Sequence, residues 1–171
     1  MYKRQEQNDA SAAYTLSSCY FEMDKPKEAI YWLTKSAELG KGDAQARLGG
    51  MYLYGLDVAQ NLDMGLFWIR KGVDQENPVA KTLLGSLYVD GEIVSKDPKR
   101  GFQLIKEAAE DDKYPDSSAF YALGRCYCEG LGVNPNVEKA RYWLKKAVEE
   151  EVSLDELEQY FREHPELRLS V

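Results

Sequence analysis

"AFYALGRCYCEGLGVNPNVEKARYWLKKAVEE", residues 119–150, carries two patterns that point to different kinds of protein. Cys126 and Cys128 flank a tyrosine, and Gly130-Leu131-Gly132 stands ahead of a helix-like run, as in a metal or redox pair beside a phosphate loop. The same residues also space Ala119, Leu123, Gly124 and Tyr127 as A-x-x-x-L-G-x-x-Y, which stacks them along one face of a helix. What decides between these readings is that the second pattern recurs along the chain.

Three further segments align with it: residues 12–40, 44–75 and 80–111. Leu16, Leu48, Leu84 and Leu123 share one position, followed by Ser17, Gly49, Gly85 and Gly124. Tyr20, Tyr52, Tyr88 and Tyr127 come four residues after the leucine. Small residues recur at Ala29, Gly65, Gly101 and Ala140, each followed three positions later by Trp32, Trp68, Leu104 or Trp143. The small-residue anchors are spaced by 36, 36 and 39, the period of a helical solenoid.

Each unit reads as two helices, A and B. The small positions let neighbouring helices approach, and the bulky residue fills the gap beside them. Neither face is buried within one unit, so units stack. Between the helices, Gly55, Gly91 and Gly130 fall three residues after the tyrosine, where a helix ends in a left-handed residue that glycine adopts without a Cβ clash. Val58, Val94 and Val133 follow as an apolar plug. The first unit lacks this segment, taking nine steps from Tyr20 to Ala29 where the others take thirteen.

The L-G-x-x-Y, the G-x-G-V loop, the K-A before Y-W-L and the K-K-A-V of the last unit resemble the Sel-1-like repeat, a relative of the tetratricopeptide repeat. The resemblance implies an all-α, right-handed α-α superhelix, or solenoid, of four helix-turn-helix repeats. We read repeats over about 9–40, 43–76, 79–112 and 116–150 within a single solenoid domain, 1–171. The first repeat is closer to a tetratricopeptide unit. Leu104 and Glu92-Ile93 depart from the pattern in the third, which predicts looser packing there. A capping helix is expected over about 154–163, opened by a Ser153–Glu156 capping box, striped by Leu154, Leu157, Tyr160 and Phe161, and ended by Pro165.

Composition narrows the function. A net charge of −7 and a pI near 4.9 disfavour a phosphate backbone, so no nucleic-acid partner is expected. No apolar run approaches the ~20 residues of a membrane span, and no membrane insertion is expected. Three cysteines and one histidine are poor stock for a zinc site, and an odd count argues against a disulfide framework. A reducing, cytoplasmic setting in a bacterial protein is the simplest expectation, with a secreted or periplasmic parent as the alternative.

The chemically tempting residues read as packing. The G-x-G follows a helix rather than a strand, and Asp57 and Ile93 stand where the other loops would need Gly132. Cys126 aligns with Cys19, within "DSSAFYALGRCYCE" and "DASAAYTLSSCYFE", which agree at eight of fourteen positions. Both cysteines are therefore expected to pack as small apolar side chains. Cys128 has no nearby histidine in sequence and reads as inert, and His164 reads as a surface or capping residue. The carboxylate pairs, Asp111 with Asp112 and Glu149 to Glu151, sit among other charges at helix ends, and none is singled out for acid–base work. No catalytic residue, metal ligand or cofactor is assigned.

A surface remains. In tetratricopeptide-type solenoids helix A lines the concave face, and the resemblance implies recognition of a protein or peptide there. Off the packing positions of the A helices lie Tyr14, Ser18 and Phe21; Ala46, Gly50 and Leu53; Thr82, Ser86 and Val89; and Tyr121, Arg125 and Cys128. From these we take Tyr14, Ser18, Phe21, Leu53, Thr82, Ser86, Val89, Tyr121 and Arg125 as the partner-binding face, with Arg125 as an anion anchor. The row Phe21, Leu53, Val89 and Cys128 suits packing between neighbouring A helices equally well. The expected function is a non-catalytic interaction scaffold or adaptor, monomeric or weakly self-associating. Two alternatives are a β-lactamase-like or penicillin-binding hydrolase, as described for cysteine-rich relatives, and a self-association module of a longer signalling or effector protein. The hydrolase reading lacks an S-x-x-K nucleophile motif here.

Overall fold

The computed structural model describes residues 2–111, 116–150 and 154–167 and contains helices α1 (Tyr2–Glu22), α2 (Pro26–Glu38), α3 (Gly42–Tyr54), α4 (Leu62–Asp74), α5 (Pro78–Asp90), α6 (Pro98–Ala109), α7 (Ser117–Glu129), α8 (Val137–Glu149) and α9 (Leu154–Glu163). A short 3-10 turn, Pro165–Leu167, follows α9. The described residues are all-α, and helices alternate as A and B partners, as the repeat predicts. The chain divides into two compact units, residues 1–83 and 84–171. The expected capping box at Ser153, and the side chains of Leu154, Glu156 and Leu157, lie outside what is described.

In the first unit, Leu33 and Ala37 of α2 meet Leu48 and Met51 of α3 and Trp68 of α4 in one apolar cluster. In the second, Ile105, Phe120, Leu123, Tyr127 and Leu144 form the centre, and Tyr160 of α9 and Leu167 are buried with them. The glycine after the repeat leucine sets the spacing within a helix pair. A Cβ on Gly85 would lie 2.9 Å from the Gly101 carbonyl oxygen, and one on Gly101 would lie 2.6 Å from that of Gly85. No side chain fits there without parting the helices. The third repeat therefore keeps a close A–B approach through two facing glycines, against the looser packing expected from Leu104.

One anchor departs from its sisters. Leu48, Leu84 and Leu123 are buried, whereas Leu16 is 41% exposed, and Cys19 beside it is exposed too. Leu48 packs on Leu33 and Ala37 of α2. Among the described side chains of α1, Ala10, Ala13 and Ser17 are buried, and the Ser36 hydroxyl of α2 donates to the Ala10 carbonyl at 2.7 Å.

The long loops are built alike. Gly55, Gly91 and Gly130 have φ of 70°, 75° and 72°, the left-handed conformation expected of them. Each loop then returns its last residue to the repeat tyrosine: the N–H of Asn61, Asp97 and Asn136 donates to the carbonyls of Tyr52, Tyr88 and Tyr127 at 2.8, 2.9 and 2.8 Å. The side chains of the same three residues cap helix B by accepting from Met64, Arg100 and Lys139 N–H. Val58 and Val133 fold back onto the apolar clusters as expected. Asn136→Ala should lower stability by about 1 kcal/mol, the usual cost of a lost N-cap. Chemical denaturation measures it, and an unchanged midpoint would contradict the capping role.

Gly132 does more than turn the chain. Its φ is +77°, and a Cβ there would lie 2.0 Å from the Pro98 carbonyl oxygen, so the fourth loop rests directly on the start of α6. Gly132→Ala combines a left-handed non-glycine residue with a backbone collision and should cost about 2 kcal/mol or more. Asp57, at the same loop position in the second repeat, adopts φ 56° without glycine. Gly132→Asp, which transplants that residue, should therefore still destabilise, because the collision remains; an unaltered denaturation curve would refute this.

Candidate partner-binding site

In the first unit the A helices α1 and α3, with the first turns of α5, leave a groove of about 540 Å³. Its floor is apolar: Ala46 and Met51 are buried, and Gly50 withholds a side chain. A Cβ at Gly50 would meet only Leu83 Cδ1, at 3.9 Å, so the space above this glycine is open. Tyr14 and Phe21 of α1 form one wall, each half-buried and each under a cation. The Lys41 ammonium sits 5.2 Å from the Tyr14 ring centre, and the Arg47 guanidinium 4.2 Å from that of Phe21. Such contacts hold aromatic rings in place while leaving their edges available. The rim carries Tyr54, Leu56 and Val79, which are 58%, 56% and 41% exposed. Asp43 and Asp57 supply acidic points at the edge, Asp43 already bonded to Asn77 and Lys41.

The nine residues taken from sequence for a binding face divide into several environments. Tyr14 and Phe21 line the groove, and Ser18 is half-buried on the same helix. Leu53 is buried, its side chain filling the space where a Cβ on Gly65 would fall, so it belongs to the packing of α3 on α4. Val89 is buried against Gly101 of α6 in the same way. Thr82 is buried, its hydroxyl donating to the Pro78 carbonyl one turn back, and Ser86 is half-buried. The off-consensus position five residues after the leucine thus points at helix B in the second and third repeats, because a glycine there leaves room for it. Sequence reasoning passed over Arg47, Met51, Tyr54 and Leu56 as groove residues. The sisters of Arg47 are Thr15, Leu83 and Ala122 and those of Met51 are Cys19, Leu87 and Cys126, so no recurring residue type marks these positions.

In the second unit, Tyr121 meets Tyr160 edge to face at 5.7 Å between ring centres. Arg125 is not an open anion anchor. Its guanidinium lies 3.6 Å from Asp90 and 3.3 Å from Glu129. Burial works against its charge, but those carboxylates outweigh burial and raise its pKa further. Burial likewise pushes the Cys126 thiol up to about 12, which suits the inert packing role expected of it. Cys128, which has no histidine near it in sequence, meets His164 in space: Sγ and Nδ1 lie 3.6 Å apart. α9 carries the histidine back to α7, and linear spacing gives no sign of it. Among the described residues, no group of three or more His, Cys, Asp or Glu side chains could hold a metal ion, and no helix is long and apolar enough to cross a membrane.

Fold and groove together define a tandem helix-turn-helix repeat protein of tetratricopeptide-like type. The chain belongs to the Sel1 repeat family, whose model matches residues 10–41, 42–77, 78–113 and 117–151. Among solved structures it is similar to a Sel1 repeat protein from Oxalobacter formigenes, at 27% identity and a TM-score of 0.72 over 85% of this chain and 59% of that one. It is also similar to c5321, a protective antigen of uropathogenic Escherichia coli strains with an SLR fold, at 29% identity and a TM-score of 0.70 over 87% of this chain and 32% of that one. A Sel1 repeat protein from Klebsiella pneumoniae subsp. pneumoniae, 20% identical with a TM-score of 0.51 over 95% of this chain and 96% of that one, bears on the fold alone. The chain therefore spans less than two thirds of each of the first two proteins. No curated protein matches it. Sel1 repeats are in general protein-interaction modules and typically non-catalytic scaffolds.

Proposed function

We propose that this protein is a non-catalytic scaffold that holds a partner protein segment in the groove of its first unit. The observation that carries this is the groove itself: about 540 Å³, apolar in its floor, with aromatic walls and an exposed apolar rim. Concave apolar sites with a few fixed polar groups take side-chain anchors of a partner, and aromatic and arginine side chains dominate such contacts. The partner is accordingly an extended or helical segment presenting two or more large apolar side chains. The lysine over Tyr14 and the arginine over Phe21 keep both rings of that wall ordered before binding, which reduces the ordering cost. Three free cysteines suit a reducing, cytoplasmic setting. We further propose that all four repeats act as one domain, monomeric or weakly self-associating.

Peptides selected by display against the wild-type protein test the site. Titrating a selected peptide into isotopically labelled protein should shift the amide resonances of Gly50, Met51 and their neighbours. Shifts confined to Tyr121 and Arg125 would move the binding face to the second unit and reject the groove.

A further inference from the structure

The second unit contains a nucleophile and a base that no element of the proposed groove uses. Cys128, on the last turn of α7, and His164, just after α9, are both half-buried, with Sγ and Nδ1 3.6 Å apart. The main chain at His164 is fixed on both sides: its backbone N–H donates to the Tyr160 carbonyl, and the Leu167 backbone N–H donates to the His164 carbonyl, both at 3.0 Å. The buried Tyr160 ring lies 4.5 Å from the imidazole, and its hydroxyl donates to Glu129 Oε1 at 3.1 Å. Leu167, fully buried, pins the end of this segment to the core. A thiol within hydrogen-bond reach of a base, with the base oriented by further groups, is the arrangement that activates a cysteine. Among the described residues, charged and titratable groups near the pair include Arg125 and Glu129 on α7, Asp90 at the end of α5, and Tyr121 and Tyr160.

We propose that Cys128 is a modification site, a thiol that His164 activates for exchange with small disulfides of the oxidised-glutathione type. His164 Nδ1 takes the thiol proton, and Sγ attacks one sulfur of the small disulfide. The new protein–ligand S–S bond forms as the old S–S bond breaks, and the departing thiolate takes the proton from the imidazolium. The protein thiol is oxidised and one half of the small disulfide is reduced. The adduct occupies the space beside His164, so modification displaces the α9 segment from α7 and uncovers Tyr160 and Leu167. The other two cysteines are built-in references: Cys19 is exposed and Cys126 is buried.

The experiment treats the full chain with oxidised glutathione at pH 7.5 and follows each cysteine by peptide mass spectrometry. Cys128 should form its mixed disulfide at least about tenfold faster than the more exposed Cys19, with Cys126 unmodified. That comparison requires no variant. His164→Gln should slow Cys128 by about tenfold and leave Cys19 unchanged, whereas a histidine that only covered the thiol would make its removal speed the reaction. Amide exchange in α9 should accelerate in the modified protein. Cys128 reacting no faster than Cys19, or a His164→Gln rate equal to or above wild type, overturns the proposal.

Discussion

Gly50→Leu is expected to abolish partner binding in the first unit while leaving the fold intact. Gly50 lies inside α3, where glycine costs about 0.8–1 kcal/mol of helix stability relative to alanine. Its ideal Cβ meets nothing closer than Leu83 Cδ1 at 3.9 Å, an ordinary contact. A leucine here therefore enters open space, and the only open space available is the groove. The side chain would lie over Met51 and Leu83 where a partner's anchor is proposed to sit. Affinity for a displayed peptide should fall roughly thirtyfold or more, the about 2 kcal/mol of a lost hot-spot contact. Thermal stability should hold or rise, which separates blockade from unfolding. Calorimetric titration of both proteins with the same peptide reads the effect, and equal affinities would show that the partner binds elsewhere.

Trp68→Ala should destabilise the first unit by about 3–5 kcal/mol, as truncation of a buried aromatic does. Trp68 is only 9% exposed and packs in one cluster with Leu33, Ala37, Leu48 and Met51, drawn from two neighbouring helices beyond its own. Phe67 meets it edge to face at 5.0 Å. Its indole Nε1 is buried without a hydrogen-bond partner, a cost that the ring area outweighs. Trp68→Phe removes that unpaired donor together with some area and should cost only about 1–2 kcal/mol. The order of the two variants is thus the informative result. A loss below about 1 kcal/mol for Trp68→Ala in urea denaturation would contradict its place in the core.

The helix pairs, the left-handed glycines and the valine plugs were legible because each depends on residues within one repeat, and the repeat states its pattern several times. Where a position serves a neighbour rather than its own unit, the pattern misleads. Leu16 matches its sisters in sequence, yet it is 41% exposed while they are buried. The spacing of Leu53 and Val89 suits a binding face and helix packing equally, and the glycine on the facing helix B is what admits them to the core. Arg125 looked like an open cation because Asp90 stands on another helix, although Glu129 follows it by one turn on its own.

The periodicity of the sequence by itself determines an all-α array of repeated helix pairs, with a turn chemistry repeated loop by loop, and the family model identifies those pairs as Sel1 repeats. A helix face and a capped turn are local, and their signals survive in any linear reading. Only the tertiary structure decides which faces stay open, because exposure depends on what the next helix places opposite. It decides, for the same reason, that Gly50 opens a groove while Gly85 closes a helix pair. It also joins Cys128 to His164 across 36 residues of chain, a meeting made by the return of α9 that no spacing rule encodes.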